Sequence, residues 1–161
     1  MIDTSGEDYY VMKKLIIAAN LGKVRVLTFR AAGEDPIEQA HLIEEPDAIT
    51  EVHVETIPEA VTDQAGRFGR GARVGYETGM SYGEEHNLKR EMERGALRRI
   101  ATRIGDILKR ADHPVWILAA PQSILAQLEQ ALPASARKSL ISSVGSDLTQ
   151  CRLQEMEERF L

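Results

Sequence analysis

An apolar run, Val115–Ala120, closely follows the longest helical pattern in the chain, and this combination most constrains the fold. Apolar residues recur at helical spacing from Leu88 to Ile107, which predicts an amphipathic helix over Glu84–Arg110. Asp112-His113-Pro114 is expected to end that helix. Every residue of the run is apolar, so both faces of the strand it forms should be buried, as in the centre of a parallel sheet. A long helix leading into such a strand predicts an α/β fold.

The residues before this helix are predicted to form strands. Leu15–Ala19 has the composition of a fully buried strand, and Asn20-Leu21-Gly22 has the residue types of a turn. Lys23–Arg30 then alternates, with Val24, Val26 and Thr28 on one face and Arg25, Leu27 and Phe29 on the other, which predicts a hairpin. Ile37–Glu44 is a third predicted strand and Ile49–Ile57 a fourth.

The residues after Ala120 continue the alternation of helix and strand. Pro121 suits the first turn of a helix whose buried face carries Ile124, Leu125, Leu128 and Leu132. A last strand is predicted at Ser139–Val144 and a closing helix at Leu148–Phe160, with Asp147 as its N-cap and Gln150 in the capping-box position. The prediction is a single α/β domain with a mixed sheet of about five strands flanked by helices.

Composition limits the class of protein. A length of 161 residues with 43% hydrophobic and 28% charged residues is typical of one globular domain. A net charge of −5 confines any contact with nucleic acid to a local patch. The one cysteine, Cys151, excludes an intrachain disulfide and favours a reducing compartment. We find no apolar run near the roughly 20 residues that span a bilayer and no signal peptide, so we expect a cytoplasmic protein without a membrane partner.

A short basic stretch concentrates glycine and arginine. Gly66–Gly83 holds six of the chain's twelve glycines and no acidic residue before Glu77. Glycine lets backbone N–H groups approach an anion closely, and guanidinium groups bind phosphate in a bidentate manner. The stretch lacks the Gly-Lys-Ser/Thr of a Walker loop, and we expect it to be mobile without a partner. The predicted phosphate- or RNA-binding residues are Arg67, Gly69, Arg70, Gly71 and Arg73.

Other candidate sites have simpler interpretations. Arg94 and Arg98 on the long helix could extend the basic surface, but Glu91 beside them favours an ordinary solvated face. Glu51, His53 and Glu55 share one side of the fourth strand, where their parallel directions favour a polar face over a metal site. Neither a catalytic triad nor a cofactor motif is recognisable, so no catalytic residue, metal or cofactor is assigned.

Several segments together resemble a known family. The opening hairpin through Phe29, the segment Asp63–Phe68 and the long charged helix are three of them; Trp116–Pro121 and Gly145–Thr149 complete the set. In their order and spacing they resemble the bacterial "protein required for attachment to host cells" family over about residues 13 to 150. From the start of the first apolar strand after Lys13-Lys14, we expect one domain over residues 13–161, preceded by a flexible leader at 1–12.

That family in turn resembles the middle domain of archaeal and eukaryotic peptide-chain release factors. The release-factor domain places a Gly-Gly-Gln loop before a long helix and uses it to help release peptide from transfer RNA. In this chain the glycine–arginine stretch occupies the equivalent place, no Gly-Gly-Gln occurs, and Gln64 precedes the first glycine of the stretch. The resemblance therefore implies a fold and an RNA or ribosomal partner but no catalysis.

The sequence favours a non-catalytic binding module that contacts structured RNA or the ribosome through the glycine–arginine stretch. Two alternatives remain open at this point. One is a hydrolase acting on an RNA-linked or phosphorylated ester, and the other is a protein-interaction domain with an indirect effect on host attachment. The sequence leaves the oligomeric state open.

Overall fold

The protein folds around one mixed β-sheet. The computed structural model describes residues 13–33, 35, 37–45, 50–51 and 82–161, so the predicted leader lies outside the described residues. Within these residues the sheet has six strands. They are β1 (Lys14–Ala19), β2 (Lys23–Arg30), β3 (His41–Glu44), β4 (Thr50–Glu51), β5 (Val115–Ala120) and β6 (Leu140–Gly145).

Strand directions divide the sheet into two halves. Five strands follow the order β3-β2-β1-β5-β6, and the short β4 pairs with the start of β2. β1, β5 and β6 are parallel, with Ile17 beside Leu118 and Leu118 beside Ser143. β1, β2 and β3 are antiparallel neighbours, and the β1–β2 hairpin turns at Asn20–Gly22. The predicted mixed sheet and the buried central strand are confirmed.

Helices cover both faces of the sheet. In the described residues they are α1 (Tyr82–Arg110), α2 (Gln122–Ala131), α3 (Ala134–Ser139) and α4 (Leu153–Phe160). The buried residues of α1, α2 and α3 share one core with one face of the sheet, whereas Met156 of α4 belongs to the core on the other face. The sheet is therefore the middle of three layers. No helix in the described part of the chain has the length and apolar character to cross a membrane.

Alternating strand residues feed the two cores. Val24 and Val26 of β2 point into the core under α1, while Leu27 points into the core under α4, as the alternation predicted. Trp116 on β5 is fully buried, and its indole N–H donates to the carbonyl oxygen of Ala136 at 2.8 Å. This bond satisfies a buried donor and fixes α3 against the sheet.

The end of α1 follows from its last residues. The helix ends at Arg110, and Asp112 and His113 have φ angles of 63° and 50°. In this left-handed conformation the backbone N–H of His113 donates to the carbonyl of Leu108 at 2.8 Å. A left-handed residue after a helix satisfies carbonyls that the helix leaves free, so the chain can turn directly into β5.

Three predicted boundaries are wrong or incomplete. The third strand is His41–Glu44, not Ile37–Glu44, because Asp35 accepts hydrogen bonds from the backbone of Ile37 and Glu38 in a turn. Of the fourth strand only Thr50–Glu51 is described, and 52–57 lie outside the described residues. The last strand begins at Leu140, because the preceding residues form the short helix α3, which the sequence pattern did not predict.

The closing helix begins five residues later than predicted. It starts at Leu153, and the carboxylate of Glu155 accepts the backbone N–H of Arg152 at 3.0 Å. Asp147 is therefore not a helix N-cap, and Gln150 is not in a capping box. The residues between Asp147 and Leu153 are held instead by contacts with the β1–β2 hairpin.

Candidate functional site

The predicted glycine–arginine site falls outside the described residues. Only its last two residues, Tyr82 and Gly83, are described, and they form the first turn of α1. The residues predicted to bind phosphate there remain a prediction: Arg67, Gly69, Arg70, Gly71 and Arg73. The helix that follows them is described in full and carries the remaining two predicted residues.

The first half of α1 is an exposed arm. None of residues 82–95 is buried, whereas the buried residues of the helix begin at Ala96. At 1.5 Å per residue this half is about 20 Å long. Because α1 leads directly into β5, it runs antiparallel to that strand, and its first residues lie toward the carboxyl end of β5. Most residues of this half are exposed, and Leu88, Met92 and Gly95 are half-buried.

Arg94 lies on this arm and is already paired. Its Nη1 is 2.9 Å from Oε1 of Glu91, and both side chains are largely exposed, at 67% and 62%. Glu91, which was expected to favour an ordinary solvated face beside Arg94 and Arg98, is paired with Arg94. An exposed pair of this kind contributes little to stability and reduces the charge that Arg94 can offer to a ligand.

Arg98 lies in a more basic setting. A shallow, open groove between side chains of α1 itself is lined by Arg98, Arg99 and Arg103, together with Gly95 and Thr102. Asp106 is the one acidic side chain among the described residues that line it. Arg98 and Arg99 are exposed, and Arg103 is half-buried. Arg99 and Arg103 were not among the predicted residues, although their spacing of four residues places them one turn apart on the same face.

A polar network lies at the carboxyl end of the parallel strands. Asn20 follows β1, and its Oδ1 accepts the backbone N–H groups of Gly22 at 2.9 Å and Lys23 at 2.8 Å. Its Nδ2 donates to Asp147 at 3.1 Å and to the hydroxyl of Thr149 at 2.9 Å. One amide therefore shapes the hairpin turn and ties it to the segment after β6.

Asp147 is fully engaged in this network. Its Oδ1 accepts the backbone N–H of Thr149 at 3.0 Å and the Thr149 hydroxyl at 2.7 Å. Partial burial alone would raise the pKa of Asp147, but hydrogen bonds from Thr149 and Asn20 outweigh it and hold the pKa below its usual value. The carboxylate is therefore a fixed acceptor of a local turn and is not poised as a general acid.

Arg25 connects the same segment to the sheet. Its side chain is 7% exposed and forms two bonds to Glu44, at 2.6 Å from Nε and 3.1 Å from Nη2. Its Nη1 also donates to the carbonyls of Leu148, Thr149 and Cys151. The hydrogen bond from Arg25, more than any other influence, lowers the pKa of Glu44. Arg25 is thus a structural anchor. The sequence indicated this position, because Arg25 is a charged residue on the same strand face as the apolar Leu27 and Phe29.

The other candidate groups do not assemble a reactive site. No three His, Cys, Asp or Glu side chains converge at metal-binding distance in the described part of the chain. Glu51 is described only as part of β4, and His53 and Glu55 lie outside the described residues. Ser143 is engaged by a hydrogen bond to Glu129, and Cys151 packs partly buried against the core under α4.

Comparison with known proteins identifies the family. The family model described as "protein required for attachment to host cells" matches residues 15–160, nearly the whole chain. A search of curated proteins gave no match. The match covers the sheet, all four described helices, the α1 groove and the Asn20–Asp147–Arg25 network. The chain therefore belongs to the family of proteins required for attachment to host cells.

Proposed function

We propose that the protein is a non-catalytic binding module for structured RNA, either free or within the ribosome. The proposed contact surface consists of the outer groove of α1 and the glycine–arginine stretch that precedes α1 in the chain. The groove carries the proposal, because it places the exposed guanidinium groups of Arg98 and Arg99 on one face of an otherwise acidic protein, beside the half-buried Arg103. A cytoplasmic location, which a ribosomal partner requires, is part of the same proposal.

The chemistry of these side chains suits phosphate. Guanidinium groups bind phosphate oxygens through paired N–H donors, and they lose less hydration than ammonium groups when they do so. Arg99 and Arg103 are four residues apart, which is about 6 Å along the helix axis. A net charge of −5 opposes binding elsewhere on the surface, so the groove would set the orientation of a bound strand.

The start of α1 adds an aromatic feature. Tyr82 is 86% exposed, and its ring is nearly parallel to that of His86, with the ring centroids 6.4 Å apart. Exposed aromatic rings stack with nucleobases without regard to sequence. Tyr82 is also one of the last two residues of the glycine–arginine stretch, so it would extend the contact surface proposed for Arg67, Arg70 and Arg73.

The resemblance to the middle domain of release factors belongs to this proposal as well. It supports an RNA partner because, in both cases, a loop precedes a long helix, and in this chain that loop is the basic glycine–arginine stretch. It does not support peptide release, because the chain lacks Gly-Gly-Gln. A hydrolase receives no support from the described residues, since Asp147 and Glu44 are both held in hydrogen-bond networks.

Ribosome co-sedimentation at low and at high salt tests the proposal. The parent protein should pellet with ribosomes at low salt and be released at high salt, because phosphate contacts weaken as salt rises. Arg98→Ala with Arg99→Ala should reduce the bound fraction at low salt. Arg137→Ala with Lys138→Ala removes the same charge from exposed positions on α3 and should not. Absence of ribosome binding by the parent, together with no affinity for isolated RNA, would contradict the proposal.

A further inference from the structure

The sheet ends in a strand that is exposed on one side. β6 is the last strand in the order β3-β2-β1-β5-β6, and β5 is the one strand that pairs with it in the described part of the chain. Four of its residues are exposed: Ile141, Ser142, Ser143 and Gly145. A strand in this position presents backbone N–H and C=O groups to any extended segment that approaches it.

The opposite edge of the sheet is partly closed by the protein itself. β3 contacts α4, and the backbone N–H of Leu42 donates to Oε1 of Glu157 at 2.9 Å. That bond occupies a group that an added strand would need. β6 contains neither a charged residue nor a proline, the residues with which proteins usually protect an edge. The irregularity in its pairing with β5 concerns Ile141 alone, and the register is regular from Ser142 to Gly145.

The surface around β6 is nearly free of charge. In residues 114–146 only Glu129, Arg137 and Lys138 are charged, which is three of 33 residues, whereas charged residues make up 28% of the whole chain. α2 contacts β6, and the carboxylate of Glu129 accepts the hydroxyl of Ser143. The exposed residues of α2 are all uncharged, and they are Gln122, Ser123, Ala126, Gln127, Gln130 and Ala131.

The charge of this face points to a second copy of the chain as its partner. Two copies with a net charge of −5 each repel one another, and they approach most easily where the local charge is close to zero. The centres of protein interfaces are depleted of charged residues in the same way. A strand edge can pair with its own copy about a two-fold axis, and such a contact is closed because each copy uses the same surface.

The size of the face sets the strength of the contact. A standard interface uses roughly 20–30 residues of each partner. β6 has six residues, and α2 adds the six exposed residues named above. This contact is smaller than the standard, so the dimer it forms should be weak and reversible.

We propose that β6 pairs antiparallel with β6 of a second copy, so that the two sheets become continuous and the two α2 helices lie side by side across the axis. Association stops at the dimer, because α4 partly closes the edge at β3. The dissociation constant should be on the order of micromolar, in keeping with the small contact. The inference uses none of the arginines proposed to bind RNA, and Arg98→Ala with Arg99→Ala should dimerise as the parent does.

Sedimentation equilibrium of the 161-residue chain tests the inference. Between about 1 and 500 μM, a range that brackets a micromolar constant, the mass should rise from the 17.9 kDa of one chain toward twice that value. Hydrogen exchange at both ends of this range reports on the surface involved. The backbone amides of β6 should be better protected at high concentration, because pairing with a second strand removes them from water.

Lysines at the edge provide the first variant. Ile141→Lys with Ser142→Lys places four positive charges near the axis of the dimer and should weaken dimerisation by about tenfold or more. Leu153→Lys with Gln154→Lys makes the same change in charge at exposed positions on α4. This control should dimerise within about twofold of the parent, because its positions lie outside the proposed contact.

A second variant leaves the sheet untouched. Gln127→Lys with Gln130→Lys changes two exposed positions on α2 and should weaken dimerisation by about fivefold or more. Circular dichroism would show that each variant is folded, and the α2 variant decides the question alone if the edge variant does not fold.

Three results would overturn the inference. A parent that stays monomeric at the highest concentration would leave this face to a strand of another protein. Protection of the β6 amides that is equal at all concentrations would mean that the edge is closed within a single chain. A dimer that every folded lysine variant forms as readily as the parent would place the contact elsewhere on the surface.

Discussion

Arg25 holds together parts of the chain that are more than 100 residues apart. It pairs with Glu44 on β3 and donates to three carbonyls in the segment between β6 and α4. The carbonyl of Leu148 also accepts the backbone N–H of Cys151 at 3.2 Å, and burying the carbonyls of Thr149 and Cys151 without the Arg25 donor would be unfavourable. One side chain therefore determines the course of the chain between Asp147 and the closing helix.

Replacing Arg25 should be strongly destabilising. Arg25→Met keeps much of the apolar volume but leaves the Glu44 carboxylate and buried carbonyls without a donor. We expect a loss of about 3 kcal/mol in the free energy of unfolding, as for other broken buried pairs. Arg30→Met, at the exposed end of the same strand, should change it by less than about 0.5 kcal/mol. Urea denaturation of both variants measures the difference, and similar midpoints would show that Arg25 is not an anchor.

The same network should make stability depend on pH. The pKa values of Glu44 and Asp147 are both lowered in the folded protein, so the two carboxylates stabilise the fold when ionised. That contribution is complete above their ordinary values, 4.5 for Glu and 3.8 for Asp, and is lost as the pH falls through the lower folded values. Stability should therefore decline as the pH drops below about 4.5.

Glu44→Gln isolates part of this effect. Its stability deficit relative to the parent should be largest at pH 7 and should shrink as the medium becomes acidic, because the parent then loses the same ion pair. Urea unfolding at a series of pH values gives the two curves, and Glu158→Gln, an exposed position on α4, is the control. A deficit that stays constant down to pH 3 would argue against the role of the ionised Glu44–Arg25 pair.

Among the elements, α1 contains three glycines, and two of them, Gly95 and Gly105, lie in different surroundings. A Cβ added at Gly105 would lie 2.8 Å from Cγ of Pro133, which is closer than real carbon contacts. A Cβ at Gly95 would meet only the mobile end of Arg99, at 3.4 Å. Gly105 is therefore required for the close approach of α1 to the start of α3, whereas Gly95 is not required by packing.

Alanine at the two positions should have opposite effects. Gly95→Ala should raise the free energy of unfolding by about 0.5–1 kcal/mol, because alanine favours the helix. Gly105→Ala should lower it by about 1–2 kcal/mol despite the same helix preference, since the added methyl group crowds a proline ring. Thermal or urea unfolding of the two single variants provides the comparison. Stabilisation by both substitutions would mean that the contact with Pro133 adjusts easily.

Element by element, local patterns predicted the structure wherever a single periodicity governs it. β5 was predicted at its observed boundaries, and α1 begins within two residues of the prediction, because long apolar patterns identify both. The predicted start of α4 was wrong because Arg25, which is distant in sequence, donates hydrogen bonds to the carbonyls that would otherwise belong to a helix beginning at Leu148. α3 was missed because Trp116 anchors it through Ala136, and such a contact leaves no local pattern.

The proposed binding face was only partly predictable. Arg94 and Arg98 were recognised from their charge, and the structure adds that Glu91 pairs with Arg94. Arg99 and Arg103 could be assigned to one groove only once the structure showed which face of α1 packs against the core.

For the molecule as a whole, we expect RNA binding without release of peptide from the ribosome. Release of the kind performed by release factors uses a glutamine held by two glycines, and Gln64 here precedes the first glycine of the basic stretch. We therefore expect no codon-independent release of peptide from loaded ribosomes, measured as free labelled peptide over time. Release that Gln64→Ala abolishes would show that this expectation is wrong.

The salt dependence of RNA affinity tests the central proposal most directly. The dissociation constant for a labelled single-stranded RNA would be measured between about 50 and 200 mM salt. The parent should lose affinity steeply as salt rises, and each lost phosphate contact should flatten the slope of log affinity against log salt by about 0.7.

Two variants test the proposed contact surface. One is the triple change Arg67→Ala, Arg70→Ala and Arg73→Ala, and the other is the double change Arg98→Ala and Arg99→Ala. Both should weaken RNA binding and flatten the slope without unfolding the domain. Arg94→Ala should matter less, because Glu91 already pairs with Arg94. The account would be contradicted if the affinity of the parent did not change with salt. It would also be contradicted if the triple and the double arginine variants bound RNA as tightly as the parent.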